Sequence, residues 1–119
     1  MKTNNIIQDK SFAFAIRIVN LYKYLLAEKK EFVLSKQLLR SGTSIGANVE
    51  ETIGGQSKKD FIAKISIAYK EAIETKYWVK LLKATQYLEE KEADSILHDV
   101  EELCKILSSI LLSSKEANS

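Results

Sequence analysis

The chain has 119 residues, of which 45% are hydrophobic and 29% charged, and its formal net charge is +2. This length and composition predict one globular domain, residues 1–119, and exclude a disordered chain. A single cysteine excludes an intramolecular disulfide framework, and no window approaches a secretory signal or the roughly 18 apolar residues of a membrane span, so we expect a cytoplasmic protein.

The first predicted helix covers about residues 9–29, with Asp9 or Ser11 as its N-cap. At 100° per residue, its apolar side chains fill an arc about twice as wide as the ~100° stripe that a surface helix needs. An intramolecular core does not cover so wide an arc. We therefore expect part of this helix to contact another protein chain.

The second predicted helix covers residues 35–53, with Ser35 as its cap and Gly54-Gly55 as its end. Its interior holds Gly42 and Gly46, and each costs about 1 kcal/mol relative to alanine in a helix. Close contact with another helix backbone offsets that cost. The alternative, a phosphate-binding loop, lacks the Gly-Lys-Ser/Thr ending and the preceding strand.

The third predicted helix covers residues 57–84 and opens with Ser57 and Asp60 in the manner of a capping box. Apolar and small residues recur along it at alternating steps of four and three, which is a heptad seam. The seam consists of Phe61, Ile65, Ala68, Ala72, Thr75, Val79 and Leu82. A second apolar stripe lies outside this seam and is the predicted oligomer interface: Ile62, Tyr69, Ile73 and Tyr77.

The fourth predicted helix covers residues 90–113, and acidic residues lie near its N-terminus, where the helix dipole favours them. Its seam is formed by Ile96, Val100, Leu103, Leu107 and Ile110. No segment has the alternation of a strand. The sequence thus predicts an all-α, antiparallel, up-and-down four-helix bundle.

Groupings typical of catalytic or metal sites are absent from the sequence. The one histidine, His98, is not part of a Glu-x-x-His motif, and it is about 120° around its helix from Cys104. Glu71 and Glu74 lie one turn apart on one helix, which is not the geometry of a glycosidase pair. We predict no catalytic, metal or cofactor site, no small-molecule substrate and no enzyme activity.

A structural polar layer is the preferred interpretation of these two carboxylates. Its predicted members are Arg40, Asn48, Glu71 and Glu74. Such a layer would set the register between the second and third helices.

Basic residues form the predicted nucleic-acid surface, because lysine and arginine beside aromatic rings suit a phosphate backbone. The residues are Lys36, Arg40, Lys58, Lys76, Lys80 and Lys83. Residues 1–88 contain 15 of the 18 Lys and Arg residues, whereas residues 89–119 contain 8 of the 16 Asp and Glu residues. The alternative is an ordinary solvated helix face.

Three segments together resemble the bacterial four-helix-bundle family of the 23S rRNA intervening-sequence proteins. They are SFAFAIRIVNLYKYL, SKQLLRSGTSIGANVEE and GQSKKDFIAKISIAYKEAIETKYWVKLL. The match is specific because it includes costly residues such as Gly42, Gly46, Asn48 and Trp78. The resemblance implies a small up-and-down bundle that forms a homopentamer with a central channel. It also implies a relation to the accessory proteins of diversity-generating retroelements, which bind a reverse transcriptase and nucleic acid.

Two functions follow as hypotheses. The first is a non-enzymatic, homo-oligomeric accessory or assembly factor that contacts RNA, DNA or a nucleic-acid enzyme through its basic residues. The second is a purely structural protein–protein interaction module without nucleic-acid binding.

Overall fold

The computed structural model describes residues 2–54 and 57–116 and contains four α-helices within them. They are α1 (Lys2–Ala27), α2 (Leu34–Glu50), α3 (Lys58–Ala84) and α4 (Glu90–Glu116), with a short 3-10 helix at Glu51–Gly54 after α2. Each helix packs against the next, and α4 packs against α1, so that α1 and α3 lie on one diagonal. The described residues contain no strand. The predicted all-α, up-and-down bundle is confirmed.

The start of α1 differs from its prediction by seven residues, since the helix begins at Lys2 rather than near residue 9. Ile7 is 1% exposed and packs in the core, and its burial carries the helix further toward the N-terminus. Asp9 and Ser11 therefore lie inside the helix, and the prediction that one of them is the cap is wrong. The Ser11 hydroxyl donates to the Gln8 carbonyl oxygen at 3.2 Å.

The start of α2 is capped by Glu31 and not by Ser35, which corrects the second cap prediction. The buried Glu31 carboxylate accepts hydrogen bonds from the backbone N–H groups of Val33, Leu34 and Ser35 at 3.2, 3.1 and 2.7 Å. Burial raises the pKa of this carboxyl, but the hydrogen bonds together outweigh burial and lower its pKa. A glutamate before the helix thus satisfies N–H groups at the helix start, although a different residue, Ser35, was expected to be the cap.

Close packing of α1 on α2 depends on the two interior glycines. A Cβ atom at Gly42 would lie 2.8 Å from Cγ1 and 2.9 Å from Cγ2 of Ile18, and one at Gly46 would lie 3.3 Å from the Ser11 carbonyl oxygen. The helices meet here at a distance that only glycine allows at position 42. The predicted close approach of another helix is present at both glycines, with the α1 backbone as the neighbour at Gly46 and the Ile18 side chain as the neighbour at Gly42.

The ends of α3 follow from local hydrogen bonds. Ser57 is the N-cap, and its hydroxyl accepts from the Asp60 N–H, as predicted. At the other end Gln86 has φ 68°. The Tyr87 N–H bonds to the Leu82 carbonyl and the Gln86 N–H to the Lys83 carbonyl, which is a Schellman motif with glutamine where glycine is usual.

The core consists of the predicted seams of α3 and α4 together with the inner faces of α1 and α2. Every predicted α3 seam residue is buried except Phe61, which is half-buried, and all five predicted α4 seam residues are buried. One polar pair crosses this core between α2 and α3. The hydroxyl oxygens of Ser41 and Thr75 are 3.0 Å apart, and both residues are 0% exposed.

Candidate interaction surfaces

Two side chains on the outer face of α3 form what we call the α3 patch, Ile73 and Tyr77. They are 45% and 56% exposed. The other two members of the predicted interface stripe, Ile62 and Tyr69, are half-buried, and Tyr69 packs against the core. Tyr77 meets Trp78 edge to face at 5.0 Å between ring centroids. Of the four residues in the predicted interface stripe, two are therefore exposed and two are partly covered by the bundle itself.

A second apolar surface lies on the outer face of α1, and we call its two residues, Phe12 and Ile16, the α1 patch. They are 67% and 50% exposed. Phe12 and Ile16 were not among the predicted interface residues, although the wide apolar arc of the first helix indicated that part of this helix would contact another chain. Both patches belong to helices with more apolar side chains than the core buries.

A groove between α1 and α2 adjoins the α1 patch. It has a volume of about 470 Å³. The residues that line it include three small ones, Ala15, Gly46 and Ala47. At its rim the Gln8 side-chain amide donates to the Glu50 carboxylate at 3.1 Å. The small residues that bring the two helices together thus also leave a depression beside Phe12.

A polar cluster joins α2 to α3 at the protein surface. Arg40 is within 3.2 Å of the Glu71 carboxylate and also pairs with Glu74, whose carboxylate accepts a hydrogen bond from the Trp78 indole at 2.9 Å. The indole bond, opposed by burial and assisted by Arg40, lowers the pKa of Glu74. The Arg40 guanidinium and the two carboxylates thus link α2 to α3.

Asn48 lies outside this cluster, although it was predicted to belong to the same polar layer. Its side-chain amide donates to the Ser44 carbonyl oxygen at 2.8 Å, within its own helix. The structure therefore brings together Arg40, Glu71 and Glu74 and leaves Asn48 apart. Trp78 is a further member of the cluster that the predicted polar layer did not include.

The six basic residues of the predicted nucleic-acid surface fall into two groups. Arg40 is occupied by its two glutamates, and the Lys83 ammonium is 2.7 Å from the Asp94 carboxylate, a hydrogen bond that raises the pKa of Lys83. The other four have no acidic partner within 4 Å among the side chains that the structure describes: Lys36, Lys58, Lys76 and Lys80. Of these, Lys76 is half-buried and the rest are exposed.

Polar bridges hold α1 to α4, a feature that sequence reasoning missed. The Arg17 guanidinium donates to Asp99 at 2.7 Å and to the Ser95 hydroxyl at 2.8 Å. Lys10 is 3.3 Å from Glu102. Shallow cavities of about 180 and 370 Å³ lie between the helices around these bridges. No sequence spacing identifies such pairs, because their members are about 80 to 90 residues apart.

The remaining reactive side chains do not form a site. His98 has an 85% exposed side chain, as expected of a surface residue. Cys104 is half-buried, and burial raises the pKa of its thiol, so it stays protonated at neutral pH. Within residues 2–54 and 57–116, no cluster of three or more His, Cys, Asp and Glu side chains is arranged to hold a metal ion. No helix in that same part of the chain is long and apolar enough to cross a membrane.

Comparison with known proteins identifies the family. The model of the family described as 23S rRNA-intervening sequence protein matches residues 3–109. A search of curated proteins returns no match. A crystal structure from Bacteroides thetaiotaomicron, of a protein with unknown function from the S23 ribosomal protein family, is 55% identical with a TM-score of 0.90. The alignment covers 92% of this chain and 97% of that one. The family match spans most of the chain and agrees with the bundle described above, so the chain belongs to the family of 23S rRNA-intervening sequence proteins.

Proposed function

We propose that this protein is a non-enzymatic assembly module that forms a homo-oligomer through the outer faces of its helices, with a pentamer as the assembled form. The observation that carries this proposal is the exposure of large apolar side chains on two helices, 67% for Phe12 and 56% for Tyr77. Neither the family's description nor that of the solved relative names an enzyme. We also propose the cytoplasm as the compartment, because a chain with one cysteine cannot form an intramolecular disulfide in oxidising surroundings.

The energy available from covering these residues is substantial. An aromatic side chain buries roughly 150–250 Å² when it is fully covered, so the exposed two thirds of Phe12 correspond to roughly 100–170 Å². At about 25 cal/mol per Å², covering that ring contributes about 3 kcal/mol. Several such contacts per subunit favour a stable assembly over a monomer.

Sedimentation velocity over a concentration series tests self-association. We expect the wild-type protein to sediment as an oligomer, and the variant Ile73→Ser/Tyr77→Ser to sediment as a folded, smaller species. Leu112→Ser is the matched control, because Leu112 is 60% exposed on α4 and belongs to neither patch. A wild-type protein that stays monomeric at every concentration contradicts the proposal.

A second candidate function is contact with nucleic acid through the lysines that lack an acidic partner among the described side chains. Lys36, Lys58 and Lys80 are exposed, and phosphate contacts by such residues give affinity that falls steeply with salt. We propose that the oligomer repeats this basic set and so increases its effective affinity. The accessory function therefore depends on the assembly.

Fluorescence anisotropy with labelled structured RNA, single-stranded DNA and duplex DNA tests this second function. Each lost phosphate contact should reduce the slope of log K against log salt by about 0.7–0.9, so Lys36→Gln/Lys58→Gln, which leaves the lysines around the α3 patch unchanged, should bind more weakly and with a shallower slope. The matched control is Lys83→Gln, because that lysine already pairs with Asp94. If no nucleic acid binds even at low salt, this second function is wrong and the structural module remains.

A further inference from the structure

The α1 patch and the α3 patch lie on different sides of the bundle. Among the described residues α1 and α3 make no direct packing contact, because each lies between α2 and α4. At 100° per residue, both patches point roughly away from the buried seam of their own helix. The bundle is about 22 by 21 Å in cross-section, so nearly its whole width separates the two patches.

This placement restricts how copies of the chain can meet. A two-fold symmetric contact joins one surface to the same surface of the partner, so it covers one patch and leaves the other exposed. A contact between unlike surfaces, repeated from copy to copy, covers both. The presence of two similarly exposed apolar surfaces therefore favours the contact between unlike faces.

Charge around the patches favours the same arrangement. Lys59, Lys70 and Lys80 are exposed on the outer face of α3 around the α3 patch, whereas the carboxylate of Glu74, three residues before Tyr77, is paired with Arg40. Two α3 patches placed against each other would bring like charges together, which is unfavourable. The outer face of α1 is mixed, since Asp9 and Lys23 are both exposed beside the α1 patch. The lysine-rich α3 face therefore meets less repulsion on an α1 face than on a second α3 face.

We propose that the α3 patch of one copy packs on the α1 patch of the next, with Tyr77 and Ile73 against Phe12 and Ile16. This inference rests on the proposed self-association and specifies its interface. The occupant of each patch is a second copy of this chain.

Mixing two blocked variants tests the pairing. In Phe12→Asp/Ile16→Asp only the α3 patch is intact, and in Ile73→Asp/Tyr77→Asp only the α1 patch is intact. We expect each variant to be a folded monomer by circular dichroism and sedimentation. We expect the equimolar mixture to form a 1:1 heterodimer and nothing larger, because one productive contact remains. If either variant alone forms a dimer, or retains the wild-type size, the pairing is wrong.

Disulfide trapping provides a second readout that does not depend on the stability of a single contact. In a Cys104→Ser background, we expect Phe12→Cys combined with Tyr77→Cys to give a ladder of oligomers on oxidation. We expect either single cysteine to give none. Dimers from a single cysteine indicate a two-fold contact, and the absence of a ladder from the double variant also overturns the pairing. A monomeric wild-type protein contradicts the proposed assembly, whereas an oligomer with the wrong cross-links contradicts this inference alone.

Discussion

Gly42→Ala tests how closely α1 and α2 are packed. The added methyl group would lie 2.8 and 2.9 Å from two carbons of Ile18, which is 0% exposed. Both carbons are attached to the branched Cβ, so a change of rotamer does not remove the clash. Overpacking of this kind costs about 1–3 kcal/mol, whereas alanine returns about 1 kcal/mol of helix propensity. We expect a net loss of about 1 kcal/mol in the free energy of unfolding.

Gly46→Ala is the matched comparison. Its methyl group would lie 3.3 Å from the Ser11 carbonyl oxygen, which requires a shift of only a few tenths of an ångström. The gain in helix propensity is the same, so Gly46→Ala should be more stable than Gly42→Ala by about 1 kcal/mol or more. Urea unfolding followed by circular dichroism measures the difference, with all variants at one protein concentration because association shifts apparent stability.

Combination with Ile18→Ala identifies the clash as the cause. That substitution removes both carbons, so adding Gly42→Ala to it should restore the propensity gain of about 1 kcal/mol and become stabilising. Equal stability of the two glycine variants, or additivity between the substitutions at positions 18 and 42, would refute the close-packing argument.

Three further predictions concern caps and ion pairs. Glu31→Gln should cost about 1–2 kcal/mol at pH 7. The folded pKa of Glu31 is below 4.5, so the stability that its carboxylate contributes is present above pH 4.5 and is lost as the pH falls through the folded pKa. In urea titrations at decreasing pH, the variant should therefore lose less free energy of unfolding than the wild-type protein. Gln86→Gly should raise the free energy of unfolding by about 0.5–1 kcal/mol because Gln86 has positive φ. Ala84→Gly, at the last residue of α3, should lower it by up to about 1 kcal/mol, and thermal melts that rank the two variants the other way contradict the Schellman assignment. A double-mutant cycle on Arg40 and Glu74 should give a coupling free energy below about 1 kcal/mol, because their side chains are 49% and 37% exposed and water screens the pair. A larger coupling would contradict this screening argument.

Periodicity predicted the bundle because burial repeats every three or four residues, and the α3 and α4 seams are long enough to show this. The Gly42 and Gly46 spacing was informative for a similar reason, since interior glycine is costly unless a neighbouring backbone requires it. The prediction of Ser35 as the cap failed because N-cap preferences describe only the residue at the helix boundary. Glu31 lies four residues before Ser35, and its carboxylate reaches the helix start only because of the shape of the connection between α1 and α2.

Surface pairing was beyond sequence reasoning for a different reason. Arg17 and Asp99 meet because the bundle places α4 beside α1, and no local pattern encodes that proximity. The outer face of α1 was detectable as excess apolar surface, but which side chains stay exposed depends on how the helix is rotated toward the core. Phe12 became identifiable only when that rotation was known.

The buried hydroxyl pair between α2 and α3, Ser41 and Thr75, favours one order in which its two members can be replaced during evolution. Thr75 also bonds to the Glu71 carbonyl at 2.7 Å, whereas the other oxygen near Ser41, that of Leu38, is 3.4 Å away. Loss of Ser41 thus leaves its neighbour satisfied, while loss of Thr75 leaves a buried hydroxyl poorly bonded, which is costly. Joint replacement by apolar residues of similar shape is close to neutral. Descendants of this sequence that abandon the pair should therefore lose the serine hydroxyl before the threonine hydroxyl.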